Sequence, residues 1–201
     1  MTDANKLLRR GIWLEYATLG WNVLGVAVLA GVAPAAHSVA LVGFGFDTLL
    51  EIGASTVVLW ELRGTGGTRQ RPALRLLSGA FAVLGLYLLA QTGWSLAHAV
   101  RPAPSALGLA WLGLTLAVML ALAGGKRRVG RQLGNAVLQT EGRVTLVDAA
   151  LAGAVLLGLG LNAALGWWWA DGTVGVLLAG YCLWEARHAW HEAGAAGVAS
   201  S

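Results

Sequence analysis

The feature that most constrains this chain is a succession of long apolar runs separated by only a few residues each. Ile12 to Val32, Val39 to Leu62, Leu76 to Val100, Ala106 to Gly124, Val144 to Leu165 and Val174 to Trp190 are six such runs. A helix needs about 20 mostly apolar residues to cross roughly 30 Å of hydrocarbon, and each run comes close to or exceeds that length. The connections carry turn residues: Pro34 within Gly31 to Ser38, the glycines of Gly64 to Gly67, and Pro102 and Pro104 within Arg101 to Ser105. The expected fold is therefore all-α, a polytopic integral membrane protein with six transmembrane helices. Residues 1–11 are expected to form an N-terminal segment, 12–192 the helical domain, and 193–201 a short tail.

Composition agrees with a lipid solvent. Hydrophobic residues make up 57% of the chain and charged residues 12%, with a mean hydropathy of +0.65, which leaves too little polar surface for an ordinary soluble domain. Lys6, Arg9 and Arg10 precede the first run as in a signal peptide, but that run is long and no cleavage site ends it, so it is read as a retained helix. Cys182 is the only cysteine and can form no internal disulfide.

Basic residues resist translocation and mark the cytoplasmic side. Lys6, Arg9 and Arg10 precede the first run; Arg63, Arg69, Arg71 and Arg75 fall between the second and third. Lys126, Arg127, Arg128, Arg131 and Arg143 fall between the fourth and fifth, and Arg187 near the end. Arg101 alone lies on the other side, so both termini are expected in the cytoplasm, and the net charge of +4 reflects topology. This excludes a nucleic-acid partner as the first reading and leaves contact with anionic membrane lipids. Gly153, Gly158 and Gly160, among 29 glycines, suit close helix packing in the fifth run, and Trp167, Trp168 and Trp169 suit an interfacial aromatic belt.

Asp47, Glu51 and Asp148 lie well inside their runs. An acid at the centre of a spanning helix costs about 2.5–3.5 kcal/mol on insertion scales, so three of them require compensation. Asp47 and Glu51 are four residues apart and share a helix face. Their oxygens can converge on a divalent cation, and Asp148, on an antiparallel helix at similar depth, can complete the cage. The plain alternative is a set of protonated or hydrogen-bonded packing residues. Neither the second nor the fifth run has a mid-span basic residue to pair with these acids, which favours a mobile cation or protons.

Ser38 to Arg63, SVALVGFGFDTLLEIGASTVVLWELR, resembles the second transmembrane helix of the cation diffusion facilitator family, where two acids four apart follow a serine-led apolar stretch. Asp148 to Gly180, DAALAGAVLLGLGLNAALGWWWADGTVGVLLAG, is similar to that family's acid-bearing fifth helix, its Trp-rich exit and the Ala-Asp pair opening its sixth. The variants look closest to a divergent branch of vesicular and bacterial zinc-efflux relatives without the C-terminal cytoplasmic domain. The resemblance implies metal ligands at Asp47, Glu51 and Asp148, a homodimer, and placement in a bacterial inner membrane. Where the family has a His or Asp one turn before the last acid, this chain has Val144. Glu141, Asn22, Gln91, Glu15, a backbone carbonyl or a water are the candidates to fill that gap. An all-oxygen site suits a hard ion such as Mn²⁺, and zinc is placed first only through the resemblance.

The remaining polar residues have plainer readings. Glu15 is either a contributor at the cytoplasmic mouth or an interfacial acid in contact with water. Asp171 is read as a cap of the sixth helix. Glu185, His188, His191 and Glu192 share a helix face that reads as a solvated end before it reads as a metal site, and His98 supports no claim. No GxxxxGK[ST] loop, HExxH pair or Ser/His/Asp set occurs, so neither ATP use nor an enzyme is expected, and no resident cofactor. The expected function is efflux of a divalent metal, zinc or another such ion, by metal/proton antiport. The rival is a non-transporting membrane scaffold or regulatory protein with a static metal or hydrogen-bonded site.

Overall fold

The computed structural model describes residues 3–36, 39–64, 68–98, 106–165 and 170–198, which form six helices and no strand. They are α1 (Asp3–Ala36), α2 (Val39–Leu62), α3 (Gln70–Ala97), α4 (Ala106–Leu133), α5 (Ala136–Leu165) and α6 (Ala170–Val198). Gln70–Ala97 and Leu109–Leu133 are long and apolar enough to cross a membrane.

The helices outrun the apolar segments that announce them. α1 begins at Asp3, within the expected N-terminal segment, and continues through Pro34, where a turn was expected. α6 runs to Val198, into the expected tail. The largest difference lies between α4 and α5. Residues 125–143, expected to contain a basic loop, are helical except at Gly134 and Asn135.

That turn has a local cause. Gly134 adopts φ 63, a left-handed conformation that costs a residue without Cβ little. Its N–H bonds the Arg131 carbonyl at 3.2 Å and the Asn135 N–H bonds Gly130 at 2.9 Å, closing α4 in a Schellman motif. Asn135 Oδ1 then accepts the Leu138 N–H at 2.8 Å and caps α5. Its Nδ2 donates to both Glu61 oxygens, at 3.1 and 3.0 Å, tying the turn to the end of α2.

Side-chain contacts pair the start of each odd-numbered helix with the end of an even-numbered one, as an up-and-down bundle requires. Arg63 bonds Tyr16, Lys126 meets Glu15, and Arg143 meets Glu185. α3 packs chiefly on α6, α4 on α5, and α1 on α2, while α2, α3 and α5 meet one another. Leu74, Leu77, Phe81 and Leu84 of α3 form the centre of the core, with Val58 of α2, Val137, Leu138 and Val147 of α5, and Ala179, Cys182 and Ala186 of α6. A glycine on α3 brings α6 close: a Cβ on Gly85 would lie 2.9 Å from Leu183 Cγ and 3.2 Å from the Ala179 carbonyl oxygen. Gly153, expected to mark such an approach, would make only ordinary contact with Leu116, at 3.6 Å. Trp167, Trp168, Trp169 and Arg101 lie outside the described residues, as do the surroundings of Gly158 and Gly160 within α5 and the Asp171 side chain.

Polarity is inverted relative to a water-soluble bundle. Glu15, Glu51, Lys126, Glu141 and Glu185 are buried, whereas Trp13, Leu86, Leu157 and Leu177 are exposed. Large apolar side chains facing outward around buried charges are expected of a protein whose surroundings are hydrocarbon. At the end of the bundle where α1, α3 and α5 begin, the guanidinium groups of Arg63, Arg69 and Arg75 lie over the rings of Tyr16, Trp60 and Trp190. The stems of these residues thus cover aromatic surface while their charges stay at the rim.

Candidate cation site

Helix α2 turns Asp47, Glu51 and Ser55 inward on one stripe, because residues four apart differ by little more than one turn. From the antiparallel α5, Asp148, Thr145 and Glu141 face the same interface, all buried. The three acids of the sequence motif are brought together here, with 4%, 1% and 3% of Asp47, Glu51 and Asp148 exposed. The Asp47 and Asp148 carboxyls approach each other across α2 and α5, and Asp148 also approaches Glu51. Among the described residues, Asp47 Oδ2, Asp148 Oδ2 and both Glu51 oxygens have no hydrogen-bond partner.

This is an acceptor-rich pocket closed to solvent. Its carboxyls can satisfy one another only by holding protons, or together by holding a cation. As they stand, no three His, Cys, Asp or Glu side chains among the described residues are arranged to hold a metal ion.

Val144 does not open onto a missing ligand. It is buried in the hydrocarbon core with Val147, so packing occupies the position one turn before Asp148. The nearest side-chain oxygen along α5 is that of Thr145, which donates to Glu141 Oε1 at 3.3 Å.

Two of the proposed substitutes for that ligand have another partner. Glu141 and Glu15 flank Lys126, whose Nζ lies 2.5 Å from Glu141 Oε1 and 3.2 Å from Glu15 Oε2, with all three side chains 0% exposed. The lone pairs of Glu141 Oε1 are occupied further by Ser55 Oγ, which donates at 3.0 Å. Two readings change: Lys126 is not a loop cation but a buried one, and Glu15 does not reach water. Neither α2 nor α5 carries a mid-span basic residue, as expected, but a basic group does lie beside them. Lys126 reaches them from α4, so inspecting α2 and α5 alone missed it. The signal was its position directly after an apolar run, where extension of the helix by one turn carries it inward.

Asn22 is also buried, with Nδ2 unpartnered, while Gln91 is half-buried on α3. The Glu185 face is solvated at His188 and His191, as expected, but not at Glu185, and no metal-holding group is found among the described residues. Glu185 is 2% exposed and meets Arg143 Nε at 2.8 Å, Tyr181 donates to it at 2.9 Å, and Glu192 lies 3.4 Å from Arg143 Nη2 and 3.2 Å from His188. A cation is already built into that cluster, and it ties α5 to α6.

No family model matches the chain. Over 183 residues, 88% of its length, it is 21% identical to Transmembrane protein 163 of Xenopus laevis. It spans 64% of that relative's length. The name of the relative, the two apolar helices and the inverted polarity agree on an all-helical membrane protein.

Proposed function

We propose that the chain is a divalent-cation transporter of the cation-diffusion-facilitator kind, with six spanning helices, both termini cytoplasmic, operating as a homodimer in a bacterial inner membrane. The observation that carries this reading is the trio Asp47, Glu51 and Asp148, buried on two facing helices with four carboxylate oxygens unpartnered. Such a group is stable with protons or with a cation and unstable with neither, because low dielectric disfavours an uncompensated charge. Alternation between the two occupants is the physical basis of metal/proton antiport: metal entry displaces protons, and its release takes them back. The six helices, 24 to 34 residues long, each exceed the length a span requires. Basic residues gather at one end of the bundle, as a cytoplasmic face would have it.

With oxygens alone at the site, Mn²⁺ or a similarly hard ion fits the chemistry better than zinc, and zinc rests on the family likeness. Proteoliposomes containing the chain and a metal-sensitive dye provide the test. Flux of Zn²⁺ or Mn²⁺ coupled to counterflow of protons is expected, and Asp47→Ala moving metal at the wild-type rate would sink the assignment.

One observation favours the static reading. Asp47 and Asp148 approach each other across the interface, and a proton shared between them would lock α2 to α5 in a scaffold or regulatory protein. Metal binding without flux in the same vesicles supports that alternative.

A further inference from the structure

Toward the basic end from the trio lies a second charged centre, seven residues along α5 from Asp148 to Glu141, or about 10 Å at the rise of an α-helix. Its members come from four helices: Glu15 of α1, Ser55 of α2, Lys126 of α4, and Glu141 and Thr145 of α5. The ammonium of Lys126 contacts Glu141 Oε1 at 2.5 Å and Glu15 Oε2 at 3.2 Å, and donates to Thr145 Oγ1 at 3.2 Å. An ion pair that served only as a strut would need one carboxylate. This centre has two for a single ammonium, so in a site sealed from water the second carboxyl is stable only with a proton or a further cation. Both Glu15 oxygens and Glu141 Oε2 lack a hydrogen-bond partner although both residues are fully buried.

The donor set around the ammonium is the one a hard cation would take: carboxylate oxygens from two helices and a hydroxyl oxygen. The two centres are also continuous. Glu51 lies one turn from Ser55 on the same face of α2, and Ser55 Oγ donates to Glu141 Oε1 at 3.0 Å.

We infer that Glu15, Glu141 and Thr145 form a second cation station, occupied in this state by the tethered ammonium of Lys126, which a mobile cation displaces on its way between the basic end of the bundle and the deep carboxylates. The displacement step rests on the transport reading above; the existence of the station does not. Lys126 here is a positioning residue and a built-in competitor, holding the oxygens apart from solvent until a cation replaces it.

The test separates the two claims by removing the deep site first. In full-length Asp47→Asn/Glu51→Gln/Asp148→Asn protein in nanodiscs, Mn²⁺ binding is measured by equilibrium dialysis and paramagnetic resonance. Adding Lys126→Met is expected to create a saturable site for about one Mn²⁺ per chain, the oxygens having lost their only resident cation. Adding Glu141→Gln as well should abolish it, and Lys126→Arg, which keeps the charge, should leave the protein without it. A folded Lys126→Met protein that binds no Mn²⁺, or binds it regardless of Glu141→Gln, overturns the station. Should Lys126→Met not fold alone, millimolar Mn²⁺ during solubilisation must restore monodisperse protein, and no recovery overturns the inference equally. In the otherwise native chain, Lys126→Met is expected to lower the KM for metal more than it changes the maximal rate. Loss of rate at unchanged KM would mark a strut and reject displacement. Station binding without flux in the native chain would reject transport and leave the station standing.

Discussion

Two buried acidic centres share helix α5, and they solve the same electrostatic problem differently. Among the described residues Asp47, Glu51 and Asp148 form no ion pair, whereas Glu15 and Glu141 hold Lys126 between them. Desolvating a carboxylate costs several kcal/mol, and a neighbouring ammonium offsets that only where it is present. The deep centre must borrow its positive charge from outside, as protons or metal; the outer centre carries most of its own. Burial of acids alone therefore says little about transport. What matters is whether the compensating charge is covalently attached.

The largest effect is expected at the borrowed charge. Asp47→Ala or Glu51→Ala should lower metal flux in proteoliposomes by more than about 100-fold, beyond the ~10–100-fold typical of losing a residue that only supports a metal ligand. The same substitutions should cost little stability, since each removes an acid that has no permanent cationic partner. A large fall in the melting temperature with flux preserved would reverse the comparison and make the trio the strut.

At the outer centre the expectation is the opposite. Lys126→Ala leaves two fully buried carboxylates without their cation, which should destabilise the fold by about 3–5 kcal/mol. Thermal unfolding in detergent measures this, and added Mn²⁺ should recover part of the loss. If Lys126→Ala is neutral, the two centres do not differ in kind.

Arg143 provides a third, intermediate case. Its side chain is 18% exposed while that of its partner Glu185 is 2% exposed, and Tyr181 remains to donate to Glu185 when the guanidinium is removed. Arg143→Ala should cost about 1–3 kcal/mol, the range for stranding one buried acceptor, with metal binding at the trio unchanged. Altered metal affinity would mean that the α5–α6 tie sets the geometry of the deep site as well.

How much of this could be read from sequence depended on the kind of order involved. Apolar runs report the hydrocarbon-facing parts of helices, so all six helices were legible. Their ends were not, because basic and glycine-rich turns such as 125–133 continue a helix whenever the next helix packs beside them. The trio was legible because an acid inside an apolar run has no cheap explanation and four-residue spacing puts two acids on one face. The second centre was not. Lys126 and Glu141 sit at the edges of their runs, where a charge normally reaches water, and only the extension of α4 and α5 past those edges turns them inward. Val144 was legible as a departure but not as a core residue, since spacing cannot tell an empty ligand position from a filled packing position.

The smallest expected effect tests whether the two centres are built independently. The Gly134–Asn135 turn fixes the register of α4 against α5, and hence of Lys126 against Glu141, but the trio is assembled by α2 and α5. Gly134 at φ 63 admits a side chain only at a cost of about 1–2 kcal/mol, and space is not the obstacle, because an added Cβ would meet nothing within 4 Å. Gly134→Ala should therefore lower stability by roughly that amount, and Gly134→Asn by less, since asparagine tolerates the left-handed region. Metal affinity at the trio should not change in either variant. Hydrogen exchange should show the loosening at the start of α5, around Leu138, before it appears at Asp148. Equal loosening at both places would mean that the outer centre, with its own cation, also holds the deep one in shape.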